Sequence, residues 1–433
     1  MGTIKSIIHN TDLRNRILIT IAILIVYRIG AYIPIPGIPA TSIMNEYQNS
    51  AVNQNALSVL NLFSGGALSR MSVFCLGIMP YITAQIIIQL LQSVLPSLRK
   101  LQQEGEPGQR KITQYTRYTT ILLALVNAVG YLFLFTSSSF GVTFAKSGVP
   151  IWMMNSMVVG TMVIGAIIVM WLGEIITQKG VGNGMSLIIF ANIIASIPSA
   201  LIGAIGGLDE SLVISIIVIA VVMLVIPFIV YLERGQRRIP IQYTKRVVAR
   251  GAYASGGNSY LPIKLNTAGV IPIIFASTLL YLPSQISVFF PKVQWLTNVS
   301  TALSSGAVNW VLTAVLIIAF AYFYTAIVFN PDQTADSLRK QGAFIPGVRP
   351  GQNTSSFVHD ISLYTTLPAA IFVALIAVVP SIVLAMTGNS LLQSFGGTSI
   401  LIMVGVILDT QAQLEGYVKT SEYDNATITS AVA

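Results

Sequence analysis

Charged side chains are scarce in this sequence. Only 9% of its 433 residues are Asp, Glu, Lys or Arg, whereas 54% are apolar, and soluble domains usually carry about 25% charged residues. The mean hydropathy is +0.75. Because so few charges cannot cover a water-facing surface, the composition predicts an α-helical protein that crosses a membrane many times.

Cysteine and histidine are almost missing as well. Cys75 is the single cysteine, which excludes an internal disulfide and any cysteine-based metal cluster. His9 and His359 are the two histidines, and both lie outside the apolar runs. We therefore expect neither a metal nor a cofactor.

The motifs of several enzyme classes are absent. The sequence contains no G-x-x-x-x-G-K-[ST] loop for ATP, no H-E-x-x-H and no G-x-S-x-G. Ionisable residues in the apolar runs are limited to Arg28, Glu174 and Asp409, each toward the end of a run. Charges placed there are better explained by side chains that reach the membrane surface than by an ion pathway. We expect a protein that is not an enzyme and whose work is driven from outside.

Ten mostly apolar runs are present, and a run of about 20 residues crosses roughly 30 Å of hydrocarbon. The first run lacks a small-residue cleavage site, so we expect it to remain in the mature protein. The ten predicted spans are 17–33, 73–95, 117–136, 152–172, 185–203, 212–232, 268–290, 308–329, 364–386 and 397–414.

Lys and Arg are distributed unevenly between the two sides of these spans. The connections on the side of the N-terminus hold 20 of them, and those on the other side hold only Arg70, Lys146 and Lys292. Cytoplasmic connections are enriched in Lys and Arg. Both termini are therefore predicted to be cytoplasmic.

A short motif, G-x-x-P-x-I, occurs at 77–82 and again at 269–274. Ten spans divide into halves of five, residues 1–205 and 206–433, and an odd number of spans per half makes the repeats inverted. Proline-interrupted segments at matching positions indicate a pore or binding site between the halves. Two ordinary proline kinks in packed helices are the alternative.

A polar, glycine-bearing segment precedes the first motif. It reads FSGGALSR (63–70), with Ser64 as a candidate N-cap and two glycines that permit a sharp turn. The predicted helix has about two turns. A helix that short persists only when packed against neighbours, so it could be displaced.

The connection 233–264 is strongly basic, and Glu233 is the only acid in its first part. Tyr243 and Tyr253 lie among the basic residues. Positive-inside anchoring explains the charges nearest the membrane, whereas a loop of this length favours a polyanionic partner, either RNA phosphates or an acidic protein face. The candidate docking residues are Arg237, Arg238, Lys245, Arg246 and Arg250.

The connection 330–361 is predicted to contain a short helix with Asp332 at its start and Arg339 and Lys340 at its end, in agreement with the helix dipole. A turn-rich tip with Pro346 and Pro350 follows and would expose Arg349. An exposed, rigidly held Arg suits docking; ordinary loop chemistry is the alternative.

Eleven segments resemble the SecY/Sec61-alpha family of protein-translocation channels, and the resemblance runs in order from about residue 14 to about residue 423. They are RIGAYIPIPGI (28–38), FSGGALSR (63–70), GIMPYI (77–82), QYTRY (114–118), WLGEIIT (171–177), GVGNGMSLIIF (180–190), ERGQRR (233–238), AGVIPIIFAS (268–277), FYTAIVFNP (323–331), GAFIPGVRPG (342–351) and FGGTS (395–399).

The resemblance implies an all-α membrane protein with ten helices in two pseudo-symmetric, inverted halves around an hourglass pore. Secretory polypeptides would cross through the pore, and hydrophobic segments would leave sideways into lipid.

The implied plug is a short helix at about 63–72 that includes Phe63, Ser64, Gly65, Gly66, Ala67, Leu68, Ser69 and Arg70. The implied pore ring is Ile78, Ile82, Met185, Ile189, Ile274 and Ile402. Met185 departs from the isoleucine common in the family, and its flexible side chain should preserve the seal.

The resemblance places a lateral gate between spans 2 and 3 on one side and spans 7 and 8 on the other. Thr83, Gln89 and Asn266 are the polar candidates for this gate. Kinks at Pro80 and Pro272 would fall in its two moving walls.

The partners that the resemblance implies are the subunits SecE and SecG, the motor ATPase SecA, a ribosome, signal peptides and nascent chains, and membrane lipids. The implied location is the bacterial inner membrane.

Two other functional classes compete with a protein-translocation channel. An ion-coupled solute carrier would need ionisable residues at the membrane midplane, which are almost missing, and a passive assembly scaffold would need no plug.

Overall fold

The computed structural model describes most of the chain. The described residues are 11–36, 38, 61, 64–136, 150–206, 223–243, 247–248, 252–253, 259–289, 293–304, 306–386 and 397–432. The described helices up to residue 234 are α1 (Thr11–Gly30), α2 (Met79–Val94), α3 (Pro96–Gln103), α4 (Glu106–Thr136), α5 (Ile151–Lys179), α6 (Gly184–Gly206) and α7 (223–234). The remaining helices are α8 (Ile271–Phe289), α9 (Gln294–Ser304), α10 (Gly306–Val328), α11 (Pro331–Lys340), α12 (Gln352–Met386) and α13 (Gly397–Val432).

A helix lies in each of the ten predicted spans, in whole or in part. Within the described residues, four stretches are long and apolar enough to cross a membrane: Ile151–Lys179, Gly306–Lys340, Gln352–Val383 and Gly397–Thr420. The pair α2 and α3 makes a fifth if it is counted as one span, bent by 104° between its members. The chain is thus a multi-pass membrane protein by length and composition, while the number of ten crossings stays a prediction.

The prediction of proline kinks at Pro80 and Pro272 is wrong. Each proline is the second residue of its helix, α2 or α8. Proline is tolerated in the first helical turn because the amide it lacks would have no partner inside the helix. The two prolines therefore help to start their helices instead of bending them.

The repeated motif forms the same local structure twice. Gly77 has φ 55° and Gly269 has φ 61°, a left-handed conformation that favours glycine. The Ile82 amide donates to the Ile78 carbonyl at 3.1 Å, and the Ile274 amide donates to the Val270 carbonyl at 3.3 Å. Since α2 and α8 are also in contact, the two motifs begin neighbouring helices from different halves of the chain.

The prediction of an all-α fold needs a correction, because the basic connections form a small sheet. Its strands are β1 (Gln236–Tyr243), β4 (Ser259–Lys264) and β5 (Ala343–Phe344), with β1 in the centre and both pairings antiparallel. A separate hairpin joins β2 (Val247–Val248) to β3 (Ala252–Tyr253). In β1 the buried Ile239 and Ile241 alternate with exposed residues, as a strand with one covered face requires.

The sheet packs on the helices of the second basic connection. Ile239, Ile263 and Ile345 form an apolar cluster with Val358 of α12, outside the main core. The predicted short helix is confirmed as α11, and Asn330 caps it by accepting the amides of Asp332 and Gln333 at 3.2 and 3.3 Å. The described residues of the two basic connections thus form one small unit, termed here the loop unit (the described residues within 236–264 and 330–361).

Candidate pore, plug and docking surface

The six predicted ring residues are all buried, and none is more than 7% exposed. They come from α2 and the turn before it, from α6, from α8 and from α13, so that each half of the chain contributes two helices. All six belong to one contiguous apolar cluster at the centre of the fold. Packed apolar side chains exclude water, which is the property that an ion-tight constriction needs. The cluster contains many other residues, and the ring itself stays a prediction.

The Met185 side chain has room at its position because the residue that faces it on α5 is a glycine. The Met185 sulfur packs against Gly173 of α5 at a position where a Cβ would collide with it. Gly184 in turn lies against the Gly173 carbonyl, so α5 and α6 approach each other closely at this point. A long, flexible methionine can fill the space that this close approach leaves.

The predicted plug helix is not regular in the residues that are described. Residues 64–71 and 73–78 form turns, and Phe63 lies outside the described residues. Positive φ values at Gly65 (66°), Gly66 (82°) and Met71 (44°) prevent a continuous α-helix. Ser64 still has a cap-like role, since its hydroxyl accepts the Leu68 amide at 3.2 Å. Leu68 and Met71 are each 1% exposed and belong to the same apolar cluster as the ring residues.

The interpretation of Glu174 as a residue that reaches the membrane surface is wrong. Both carboxylate oxygens of Glu174 accept hydrogen bonds from Arg117, at 2.8 Å from Nε and 2.6 Å from Nη2. Glu174 is only 9% exposed. The pair joins α4 to α5, and its members are 57 positions apart, so no local pattern in the sequence could have indicated it.

The predicted gate walls are in contact, because α8 touches both α2 and α4. Thr83 is buried and donates to the Met79 carbonyl of its own helix at 3.0 Å. The side-chain oxygen of Gln89 is buried and accepts no hydrogen bond from the described residues. Asn266 lies in the turn before α8, where it donates to Glu233 at 2.7 Å and to the Gly269 carbonyl at 3.1 Å.

The Asn266 turn adjoins a cavity of about 410 Å³. The cavity lies between the start of α6, the start of α8 and residues 406–413 of α13, and its polar lining includes Lys264, Asp409 and Asn183. Burial raises the pKa of Glu233, the first residue of its connection, to about 7, and the hydrogen bond from Asn266 opposes that rise. Sequence reasoning noted Glu233 as a lone acid and missed its contact with the turn that begins α8.

The candidate docking residues are only partly described. Arg237 and Arg238 are exposed on β1, and the Arg238 guanidinium lies over the Tyr260 ring at 4.7 Å. Lys245, Arg246 and Arg250 lie outside the described residues. Arg349 is exposed in the predicted turn, where its carbonyl accepts the Thr354 hydroxyl at 3.0 Å. Because β1 pairs with β5, the two predicted docking loops share one sheet.

Residues 72–411 match the SecY family model. A protein of Streptomyces coelicolor named protein translocase subunit SecY is 43% identical over 422 residues, which are 95% of this chain and 96% of that protein. Two solved structures share the fold. One, described as a study of the plug domain of the SecY protein, has a TM-score of 0.64 at 19% identity and covers 94% of this chain and 93% of its own. The other, Sec61 in the canine ribosome-channel complex from the endoplasmic reticulum, has a TM-score of 0.60 at 18% identity with the same coverage.

Proposed function

This chain belongs to the SecY family, and we infer from that membership that it is the protein-conducting channel of a Sec translocase. It is a multi-pass membrane protein that passes polypeptides across the membrane. The observation that carries this conclusion is 43% identity to a protein translocase subunit SecY over 95% of the chain. The chain is a channel subunit, and we propose that it performs no catalysis itself.

The proposed architecture has ten spans in two inverted halves, residues 1–205 and 206–433, in a bacterial inner membrane with both termini cytoplasmic. The helices in all ten predicted spans support it. The matching turns at Gly77 and Gly269 support the repeat. The excess of Lys and Arg on one side of the spans supports the orientation.

In the proposed mechanism the six ring residues form the waist of the pore. Apolar side chains around a narrow waist expel water and block ions, yet they can part around an extended polypeptide. The plug segment closes the pore at rest. Hydrophobic segments leave between α2 and α4 on one side and α8 and α10 on the other, past Thr83, Gln89 and Asn266.

The proposed partners supply the driving force that the channel lacks. These are SecE and SecG within the membrane, and SecA or a ribosome on the cytoplasmic face. Arg237, Arg238 and the three basic residues that follow them would contact RNA phosphates or acidic side chains. The Sec61 neighbour is described in a ribosome-channel complex, which supports a ribosome as the partner of the loop unit. The solute-carrier alternative gains no support from Glu174, which is engaged by Arg117.

Substitution of Arg349 tests the docking role of the tip. We expect both Arg349→Lys and Arg349→Glu to slow SecA-driven export about tenfold, because a lysine cannot reproduce the planar, two-pronged contact of a guanidinium and a lost charged hydrogen bond costs roughly 1.5–3 kcal/mol. The measurement is the export rate of a secretory protein into membrane vesicles. Protein level and membrane insertion should stay normal, since the Arg349 side chain is exposed.

Arg339→Lys is the matched control, because Arg339 is an exposed arginine of the same unit that pairs with Asp336 at 3.5 Å on its own helix. The control should export at the normal rate. Normal export by both Arg349 variants would mean that the tip is an ordinary loop.

A further inference from the structure

The end of α1 and the residues after it contact the plug segment along its length. The Ile35 amide donates to the Met71 carbonyl at 2.9 Å, and the Val73 amide donates to the Ile33 carbonyl at 2.9 Å. These bonds run in opposite directions between the two segments, as in an antiparallel ladder, and a bridge pairs Pro34 with Ser72. Residues 27–35 are termed here the cradle.

One side of the cradle is aromatic and tightly packed. Tyr27 is fully buried and stacks on Phe74, with ring centroids 5.7 Å apart and planes 7° from parallel. Gly30 leaves room for the Phe74 ring, which a Cβ would displace. The Tyr27 hydroxyl accepts the Asn192 amide group at 2.8 Å. The residues directly after the plug segment are thereby fixed to α1, and α1 is fixed to α6.

The other side of the cradle holds the tip of the plug segment by weaker contacts. Arg28 donates from Nη1 to the Gly65 carbonyl at 3.1 Å. Tyr32 receives two cations over its ring, Arg70 of the plug segment at 4.2 Å and Arg28 of α1 at 5.6 Å. Arg70 Nη1 is buried and has no hydrogen-bond partner in the described residues.

Gly65 is required for this arrangement. Its φ of +66° disfavours any other residue, and a Cβ there would collide with the Asn192 side chain and with Arg28 Nη1. A larger residue at position 65 would have to move away from Asn192 of α6, and its carbonyl would then lose the contact with Arg28. The contact therefore depends on the backbone of the plug segment and not on a particular side chain at its tip.

We propose that Arg28 and Tyr32 are positioning residues that latch the plug in its closed place. Arg28 holds the Gly65 carbonyl, and Tyr32 supplies the ring on which Arg70 packs. Cation–ring contacts are individually weak, so a polypeptide that enters the pore can displace the tip while Phe74, just after the plug segment, remains stacked on Tyr27. The inference rests on the proposed function, the plug included.

The test compares Tyr32→Leu with Tyr32→Phe in channels reconstituted with their membrane partners into planar bilayers. Phenylalanine keeps the aromatic face, and leucine removes it. We expect Tyr32→Leu to raise the resting open fraction about threefold to tenfold, the range expected for the loss of one or two cation–ring contacts, and Tyr32→Phe to resemble the parent. Tyr32 is 57% exposed, so neither change should disturb folding.

A deletion of Gly65–Arg70 separates the latch from the plug itself. The deletion should raise the resting conductance, and Tyr32→Leu should add nothing in that background. A deleted channel as tight as the parent would overturn the proposed plug. A leaky deletion with a tight Tyr32→Leu channel would overturn the latch alone. An equal further rise from Tyr32→Leu in the deleted background would also overturn the latch, because Tyr32 would then act independently of the plug.

Discussion

Replacing Ile82 or Ile274 by asparagine is expected to make the resting channel conduct ions. Both isoleucines are buried, at 4% and 6% exposed, in the apolar cluster where α2 and α8 meet. An asparagine amide without hydrogen-bond partners raises the free energy of the dry, closed waist by roughly 1–3 kcal/mol. Water that enters the waist supplies the missing hydrogen bonds, so the asparagine favours the wet state. Since about 1.4 kcal/mol corresponds to a factor of ten, we expect the resting current to rise tenfold or more. Conductance of reconstituted channels in planar bilayers measures it.

Ile229→Asn is the matched control for the ring. Ile229 is fully buried in the same cluster, on α7, which holds no ring residue. The control should lower protein stability as much as the ring variants do and leave the channel tight. Ring variants that stay as tight as the parent would show that the ring lies elsewhere, and a control that leaks equally would show that any polar residue in the core opens the channel.

Replacing Glu174 by glutamine is expected to destabilise the protein substantially. The change removes a carboxylate that receives two hydrogen bonds from Arg117. Loss of one partner of a fully buried ion pair costs about 3–5 kcal/mol. The Arg117 side chain is 44% exposed, and water therefore compensates part of the loss. We expect the free energy of unfolding to fall by about 2 kcal/mol, measurable as a lower midpoint of thermal unfolding in detergent.

Glu106→Gln provides the comparison for this pair. Glu106 pairs with Arg110 on the surface of α4, and both side chains are more than three quarters exposed. An exposed pair contributes 0–1 kcal/mol, so the control should barely change the midpoint. Equal shifts for the two variants would contradict a structural role of the buried pair.

Helix positions were predictable from the sequence because the length of an apolar run reflects the thickness of a bilayer. The starting residues of the helices were not. The same G-x-x-P-x-I motif is compatible with a kink inside a long helix and with a helix that begins at the residue before the proline. The positive φ values of Gly77 and Gly269 are compatible only with the second arrangement. The φ of a glycine cannot be read from the sequence.

The sheet of the loop unit was missed although part of its pattern was visible. Alternate burial in β1 corresponds to the apolar Ile239 and Ile241 between polar neighbours. The pairing of Gln242 with Phe344 joins segments about a hundred positions apart, and nothing local specifies it. Arg117 and Glu174 were missed for the same reason. The six ring residues came from the family resemblance, since composition could not have selected them among so many buried apolar side chains.

Cross-linking between the ring and a translocating polypeptide tests the central claim most directly. Cys75 is the only cysteine, so a Cys75→Ala channel accepts single cysteines at chosen positions. Ile82→Cys and Ile274→Cys probe the waist, and Ile229→Cys is the buried control. A secretory protein with one cysteine, halted midway through the membrane and treated with an added thiol oxidant, is predicted to form disulfides with the cysteines at 82 and 274 and none with the cysteine at 229. Efficient translocation with no disulfide at 82 or 274 would contradict the account.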